Sequence, residues 1–154
     1  MTFVRDELAR FIQSEGHRVE LALLTEASEN AELLFRTRGY VFSVNVREGD
    51  PPHFEISTAY EIPPWARERA QNATTLQDVA NDVGDVHFTL ASNGKNFVVT
   101  LDYGGDALQA FQRDFWPNVG RVREAGIAAL ERILDRSESR AAANKFIKSL
   151  TRGD

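Results

Sequence analysis

Hydrophobic positions recur along this chain with two different periods, and the changes of period mark the predicted elements. Between Thr2 and Ser14 the apolar residues recur at helical spacing, while charged residues fill the opposite face. This pattern is typical of an amphipathic helix that packs one side on a core. Thr2 is the expected N-cap, and Gly16, which lacks a Cβ atom, is expected to end the helix in a left-handed conformation.

Alternating apolar and polar positions then predict a meander of three strands. Residues 31–37 and 40–47 flank the dipeptide Arg38-Gly39, which suits a tight hairpin. A two-residue loop would place Phe35 opposite Phe42 and would gather the large apolar partners on one face. Residues 53–62 form the third strand, which ends at two consecutive prolines. The pattern in residues 17–30 is ambiguous, and we interpret it as a short strand.

A second hairpin is predicted around Asn93-Gly94, which suits a type I′ turn with positive φ at both central residues. Residues 86–92 and 95–103 flank this turn, so that Leu90 opposes Phe97 and Phe88 opposes Val99. Their polar neighbours point to the other side. The two hairpins together predict an antiparallel sheet with one strongly apolar face.

Helical patterns follow each group of strands. Residues 65–83 predict a middle helix, either kinked or divided in two, with Thr75 as the cap of its second part. A stripe from Leu108 to Leu134 predicts one long helical path with a kink near Pro117, because proline lacks an amide proton and clashes with the preceding turn. Residues 137–150 add a second amphipathic piece that carries several basic side chains.

The order of these elements resembles the YbjN-like family and, more remotely, the fold of type III secretion chaperones. The segments that carry the resemblance are GYVFSVNV at 39–46, TLQDVAN at 75–81, VHFTL at 86–90, and the NG hairpin that leads into FVVTL at 97–101. The resemblance covers about residues 2 to 135. It implies an α+β domain over residues 1–136, with residues 137–154 as an amphipathic basic tail. It also implies a non-enzymatic chaperone-like or adaptor role, often with dimerisation, and it supplies no catalytic motif.

Composition narrows the classes of function. The chain has 154 residues, 42% of them hydrophobic, no cysteine, and a formal net charge of −5. A single core suffices for this length. The lack of cysteine excludes disulfides and thiolate metal sites, and neither a signal peptide nor a membrane span is evident, so we expect a cytoplasmic protein that does not enter the membrane. The negative charge argues against nucleic acid as a direct partner.

Candidate chemistry is sparse. The three histidines, His17, His53 and His87, lie far apart in sequence and lack the spacing of a metal-binding helix, so we expect neither a metal nor a cofactor. Carboxylates are numerous, but an acid–base pair needs convergence and unequal burial, which a sequence does not show. The cluster of Asp78, Asp82 and Asp85 lacks the glycine and the closing glutamate of a calcium loop. We therefore expect no catalytic residue and no enzyme activity.

Three functions remain in competition. The first is a protein-binding module that forms a homodimer. The second is an enzyme or small-ligand binder whose cleft, between the sheet and the helices, is lined by Tyr60, Trp65 and His87. The third is a nucleic-acid-associated protein that uses the basic tail with several arginines of the long helix: Arg121, Arg123, Arg132 and Arg136.

Surplus apolar residues indicate where a partner protein would bind. Trp116 directly follows Phe115, and adjacent helical residues cannot both face the same core. The tail adds a further apolar face at Phe146, Ile147 and Leu150, which we assign to dimer formation together with Trp116.

The face of the sheet turned away from the helices combines polar with aliphatic residues. Its members are Leu34, Arg36, Val41, Ser43, Asn45, Glu55, Ser57, His87, Thr89, Asn96, Val98 and Thr100.

The three aliphatic residues of this outer sheet face are Leu34, Val41 and Val98. They either bind a partner protein or are covered by the chain's own tail or by the second subunit of a dimer.

Overall fold

The computed structural model describes residues 3–23, 30–104 and 108–151, and it describes side chains in these ranges except at 21–23, 104 and 138–151. Helices pack on one face of a six-stranded antiparallel sheet, so the α+β class predicted from the sequence is confirmed. The elements are α1 (Val4–Ser14), β1 (Val19–Leu23), β2 (Ala31–Thr37), β3 (Tyr40–Arg47), β4 (His53–Glu61), a 3₁₀ turn (Pro64–Ala66), α2 (Arg69–Val83), β5 (Val86–Leu90), β6 (Asn96–Gly104), α3 (Leu108–Arg113) and α4 (Phe115–Thr151).

Both hairpins have the register that the hydrophobic pattern predicts. Phe35 pairs with Phe42 in the first hairpin, and Leu90 pairs with Phe97 in the second. The turns differ from expectation. Arg38 and Gly39 both have positive φ, as a type I′ turn requires, whereas Gly94 alone has positive φ in the second turn. There the amide of Gly94 bonds to the carbonyl of Ala91, so the predicted type I′ geometry at Asn93-Gly94 is wrong.

The strand order is β1-β2-β3-β4-β6-β5. The ambiguous segment supplies β1, which pairs with β2 and extends the meander to four strands. The second hairpin joins the same sheet through β6, which lies beside β4 with Ile56 opposite Leu101. The hydrophobic pattern predicted no register for this junction, because β4 and β6 are separated along the chain by α2 and β5.

The first helix is capped from a distant loop. Its N-terminal boundary residue, Phe3, makes no side-chain capping bond. Instead the two carboxylate oxygens of Glu48 accept hydrogen bonds from the backbone amides of Val4 and Arg5, each at 3.1 Å. The expected cap, Thr2, lies outside the described residues. The other end behaves as predicted, since Gly16 has a φ of 91°.

The middle helix is shorter than the sequence pattern suggested. A 3₁₀ turn precedes it, and α2 begins after Glu68, whose carboxylate accepts a hydrogen bond from the amide of Gln71 at 2.8 Å. Thr75 is therefore not a cap. It is fully buried within the helix, and its hydroxyl donates to the carbonyl of Gln71.

The long helical path breaks at Asp114, three residues before Pro117. Arg113 and the hydroxyl of Tyr103 both donate hydrogen bonds to the Asp114 carboxylate, at 3.2 and 3.0 Å. These bonds hold the pKa of Asp114 below its usual value. Beyond the break, α4 runs without interruption to Thr151, so its backbone passes through the boundary expected near residue 137. None of the helices in the described ranges combines the length and the apolarity needed to cross a membrane.

The core lies between the sheet and the helices and is rich in phenylalanine. Phe54 and Phe111 stack with ring centroids 4.1 Å apart, and Phe115 contacts Phe111 edge to face. The predicted helical stripe is largely buried, and small residues let α4 approach the sheet closely. At Gly126 a Cβ atom would lie 2.0 Å from the ring of Tyr60, so only glycine fits there without displacement of that ring.

Candidate functional site

The outer face of the sheet, turned away from the helices, consists of transverse rows of side chains that follow from the strand registers. One row contains Arg36, Val41, Ala59, Val98 and Thr89. The next contains Glu20, Leu34, Ser43, Ser57, Thr100 and His87. A third contains Glu32, Asn45, Glu55 and Asp102. The face therefore changes from partly apolar at one end to acidic at the other.

The apolar end forms a shallow groove around Val41, which we call the Val41 groove. It consists of two adjoining depressions of about 440 and 460 Å³, and Val41 lines both. Leu34 lies in one depression, while Ala59 and Val98 lie in the other. Val41 itself is 47% exposed, although its strand, β3, lies between β2 and β4 in the sheet. The structure thus brings together three residues that the sequence placed on this face.

Arginine side chains border the Val41 groove. Arg18 and Arg36 line the depression that contains Leu34, together with Glu20. Within the described part of the chain neither arginine forms an ion pair, although six other arginines do. Glu20 lines the same depression and Glu32 lines the other, so the groove presents two arginines and two glutamates beside exposed aliphatic carbon.

The remaining predicted contact residues lie elsewhere. Trp116 is on the helix side of the sheet, half-buried, where its ring lies 4.8 Å from that of His17 and 5.9 Å from that of Phe35. Its indole Nε1 is buried without a hydrogen-bond partner among the described residues. The tail side chains Phe146, Ile147 and Leu150 lie outside the described residues, which include only their helical backbone.

The acidic end of the outer face brings histidine and carboxylate groups together. Nε2 of His53 lies 3.6 Å from Oε1 of Glu55 and 3.8 Å from Oδ1 of Asp102. The other oxygen of Asp102 lies 3.8 Å from Nδ1 of His87. This arrangement was not foreseen, because it depends on the β4–β6 pairing that the sequence did not reveal.

Most arginines that suggested a nucleic-acid role are instead engaged within the molecule. Arg121, Arg132 and Arg136 on α4 form ion pairs with aspartates of α2 and of the turn that follows it: Asp85, Asp82 and Asp78 respectively. Arg136 also donates to the buried hydroxyl of Thr75 at 2.7 Å. This α2–α4 ladder gives a structural role to the aspartates that the sequence offered as candidate acids and bases.

The cleft proposed for a small ligand is not formed by its three expected residues. Tyr60 is buried on the helix side and donates a hydrogen bond to the carbonyl of Arg123 at 3.1 Å. Burial raises the pKa of Tyr60 to about 12. His87 lies on the outer face, and Trp65 is 59% exposed on the 3₁₀ turn. A groove of about 360 Å³ does lie between α2 and β5, and of the three expected residues only His87 is among those that line it. The other lining residues are alanine, amide and aliphatic side chains and Phe88.

Comparison with known proteins identifies the fold class. No known protein family matches this sequence, and no curated protein resembles it in sequence. Among solved structures, an uncharacterised protein from Methanothermobacter thermautotrophicus superposes with a TM-score of 0.62 at 14% identity, covering 86% of this chain and 98% of the other.

The second similar structure is YbjN from E. coli, described as "a putative transcription regulator". It superposes with a TM-score of 0.55 at 17% identity, covering 86% of this chain and 93% of the other. The chain therefore has a YbjN-like fold, as the sequence resemblance suggested.

Proposed function

We propose that this protein is a non-enzymatic binding module of the cytoplasm, chaperone-like or adaptor in character, that recognises another protein through the Val41 groove. The ligand we propose is an extended segment of a partner protein that carries aliphatic side chains next to a carboxylate. The observation that carries the proposal is the exposure of Val41 between two adjoining depressions at the apolar end of the outer face, one of which is lined by Arg18 and Arg36.

The aliphatic part of the ligand follows from the groove lining. Two depressions that meet at Val41 offer contiguous contact to Leu34 on one side and Val98 on the other. Burial of apolar surface contributes roughly 25 cal/mol per Å², so even a short aliphatic segment gains binding energy there. Mixed surfaces of this kind are typical of interfaces that form and dissociate.

The carboxylate of the proposed ligand follows from the two arginines that line one depression of the groove. Arg18 and Arg36 have no carboxylate partner among the described residues, and Arg binds carboxylates in a bidentate geometry. Charge complementarity raises association rates and excludes partners of the wrong sign. A ligand with Asp or Glu beside its aliphatic residues would satisfy both features of the groove.

A displayed library of random peptides tests this directly. We expect selection on the purified protein to enrich sequences with aliphatic residues flanked by Asp or Glu. Val41→Arg should weaken binding of a selected peptide at least tenfold in fluorescence anisotropy. Val83→Arg is the matched control, because Val83 is 41% exposed on α2, away from the groove, and its substitution should leave binding unchanged.

Two results would refute the proposal: selected peptides without acidic residues, or equal affinity for Val41→Arg and the wild type. The competing interpretation, in which the chain itself covers the three aliphatic residues, is tested by thermal denaturation. A fall of several degrees in the melting temperature of both Val41→Arg and Val98→Arg would show that these positions stabilise the fold.

A further inference from the structure

The acidic end of the outer face contains a cross-strand pair of like charges. Glu55 on β4 lies directly opposite Asp102 on β6 in the register. Two carboxylates in this relation repel each other and destabilise a sheet unless a cation lies between them. His53, on the same strand as Glu55, contacts both carboxylates through a single ring nitrogen.

These three groups converge as metal ligands do. One donor atom from each of His53, Glu55 and Asp102 lies within 4.8 Å of the others. In a tetrahedral zinc site, with bonds of about 2.1 Å, neighbouring ligand atoms are about 3.4 Å apart. The observed separations from the His53 nitrogen, 3.6 and 3.8 Å, are close to that spacing, so small rotamer changes suffice to bind an ion.

His87 supports the same centre from the neighbouring strand β5. Its Nδ1 lies 3.8 Å from Oδ2 of Asp102, whereas His53 approaches Oδ1. A residue that contacts a metal-binding carboxylate without binding the metal itself orients that carboxylate. Loss of such a residue lowers metal affinity roughly 10- to 100-fold in known sites. His87 can serve in that role or supply a fourth ligand. Imidazole with carboxylate favours zinc and its neighbours over calcium and magnesium, which prefer oxygen ligands alone.

We propose that His53, Glu55 and Asp102, with His87 beside them, form a surface site for a divalent transition ion such as Zn²⁺. This reverses the expectation drawn from the spacing of the histidines in the sequence. The site lies on the same face as the Val41 groove but is built from different residues, and it does not depend on the proposed peptide ligand. All four side chains are between 30% and 56% exposed, so an ion can reach them from solvent.

Calorimetric titration of the chelator-treated protein with ZnCl₂ tests the site. We expect saturable binding of one ion and a rise in melting temperature with zinc concentration. His53→Ala and Asp102→Asn should each weaken binding at least tenfold, and His87→Gln should weaken it by a smaller factor. CaCl₂ should bind at least tenfold more weakly than ZnCl₂.

His17→Gln is the matched control, since His17 lies on the helix side against Trp116 and should not affect zinc binding. Circular dichroism establishes that each variant is folded before titration. The proposal fails if the wild type binds no zinc saturably, or if folded His53→Ala and Asp102→Asn bind it as well as the wild type does. In the latter case the ion binds elsewhere on the chain.

Discussion

The contact between Gly126 and Tyr60 fixes the distance between α4 and the sheet. The Tyr60 ring lies over the bare Cα of Gly126, and its hydroxyl is held by the carbonyl of Arg123 one turn earlier. The ring therefore cannot move away from the helix without breaking this partly buried hydrogen bond. The core is therefore expected to tolerate substitution of Gly126 or Tyr60 poorly.

We predict that Gly126→Ala lowers the free energy of unfolding by about 2 kcal/mol, because overpacking of a core costs roughly 1–3 kcal/mol. Gly120→Ala, six positions earlier in the same helix, is the control: a Cβ atom there meets nothing within 4 Å. That variant should gain about 0.5–1 kcal/mol from helix propensity. Urea denaturation measures both, and equal effects of the two substitutions would contradict the proposed close packing.

Tyr60 also predicts a dependence of stability on alkaline pH. Its folded pKa of about 12 lies above the ordinary value of 10.0, so the folded state retains the proton more strongly than the unfolded state does. This contribution is fully present below about pH 10 and is lost as the pH rises towards 12. Tyr60→Phe should lose about 1 kcal/mol at neutral pH, as a hydrogen bond is removed, but should show a shallower decline between pH 10 and 12. Denaturation of both proteins at a series of pH values measures this difference. An equal decline in the free energy of unfolding of both proteins between pH 10 and 12 would contradict the role assigned to Tyr60.

At the level of elements, the connection between α1 and the loop after β3 predicts a measurable effect. Glu48→Ala removes the only side-chain acceptor described for the first two amides of α1. We expect a loss of about 1 kcal/mol, typical of an N-cap. Glu124→Ala is the control, because Glu124 is exposed on α4 and makes no ion pair with a described residue. Thermal melts should separate the two variants by several degrees, and coincident melts would show that the cap contributes nothing.

How far the elements could be predicted depends on whether the signal was local. The hairpin registers follow from the turn position and the alternation of side chains, and both are local, so pairs such as Leu33 with Val44 were correct. The cap by Glu48 and the pairing of Glu55 with Asp102 connect distant parts of the chain, and no pattern within either segment indicates its partner. The same holds for the α2–α4 ladder. The exposed face of the sheet was predictable, whereas the chemistry at its acidic end was not.

At the scale of the whole molecule, the length of α4 bears on assembly. This helix has 37 residues, which corresponds to about 55 Å, longer than the diameter of a small domain. Its backbone stays helical to Thr151, beyond Ser137, the last residue of the helix whose side chain the structure describes. We propose that this extension pairs with a second copy of the chain through the apolar tail positions named above, which leaves the outer face free.

We therefore predict a homodimer at micromolar concentration, measured by sedimentation equilibrium as twice the monomer mass. The double substitution Phe146→Glu and Leu150→Glu should shift the protein to monomer, because like charges would then meet in the apolar seam. Lys148→Glu is the control, because helical spacing places position 148 on the side of α4 opposite positions 146, 147 and 150. A wild type that stays monomeric over the whole range would refute the prediction.

The place of β6 between β4 and β5 has a consequence for synthesis on the ribosome. The four strands of the meander are contiguous along the chain and can pair as soon as they emerge, but the partner of β4 follows only after α2 and β5. Until then β4 is an unpaired edge whose apolar side chains, Phe54 and Ile56, have no cover from α4. Such edges readily recruit other chains. The nascent protein is therefore most prone to aggregation in the interval between completion of β4 and arrival of β6, and binding of a holding chaperone should be greatest in that interval.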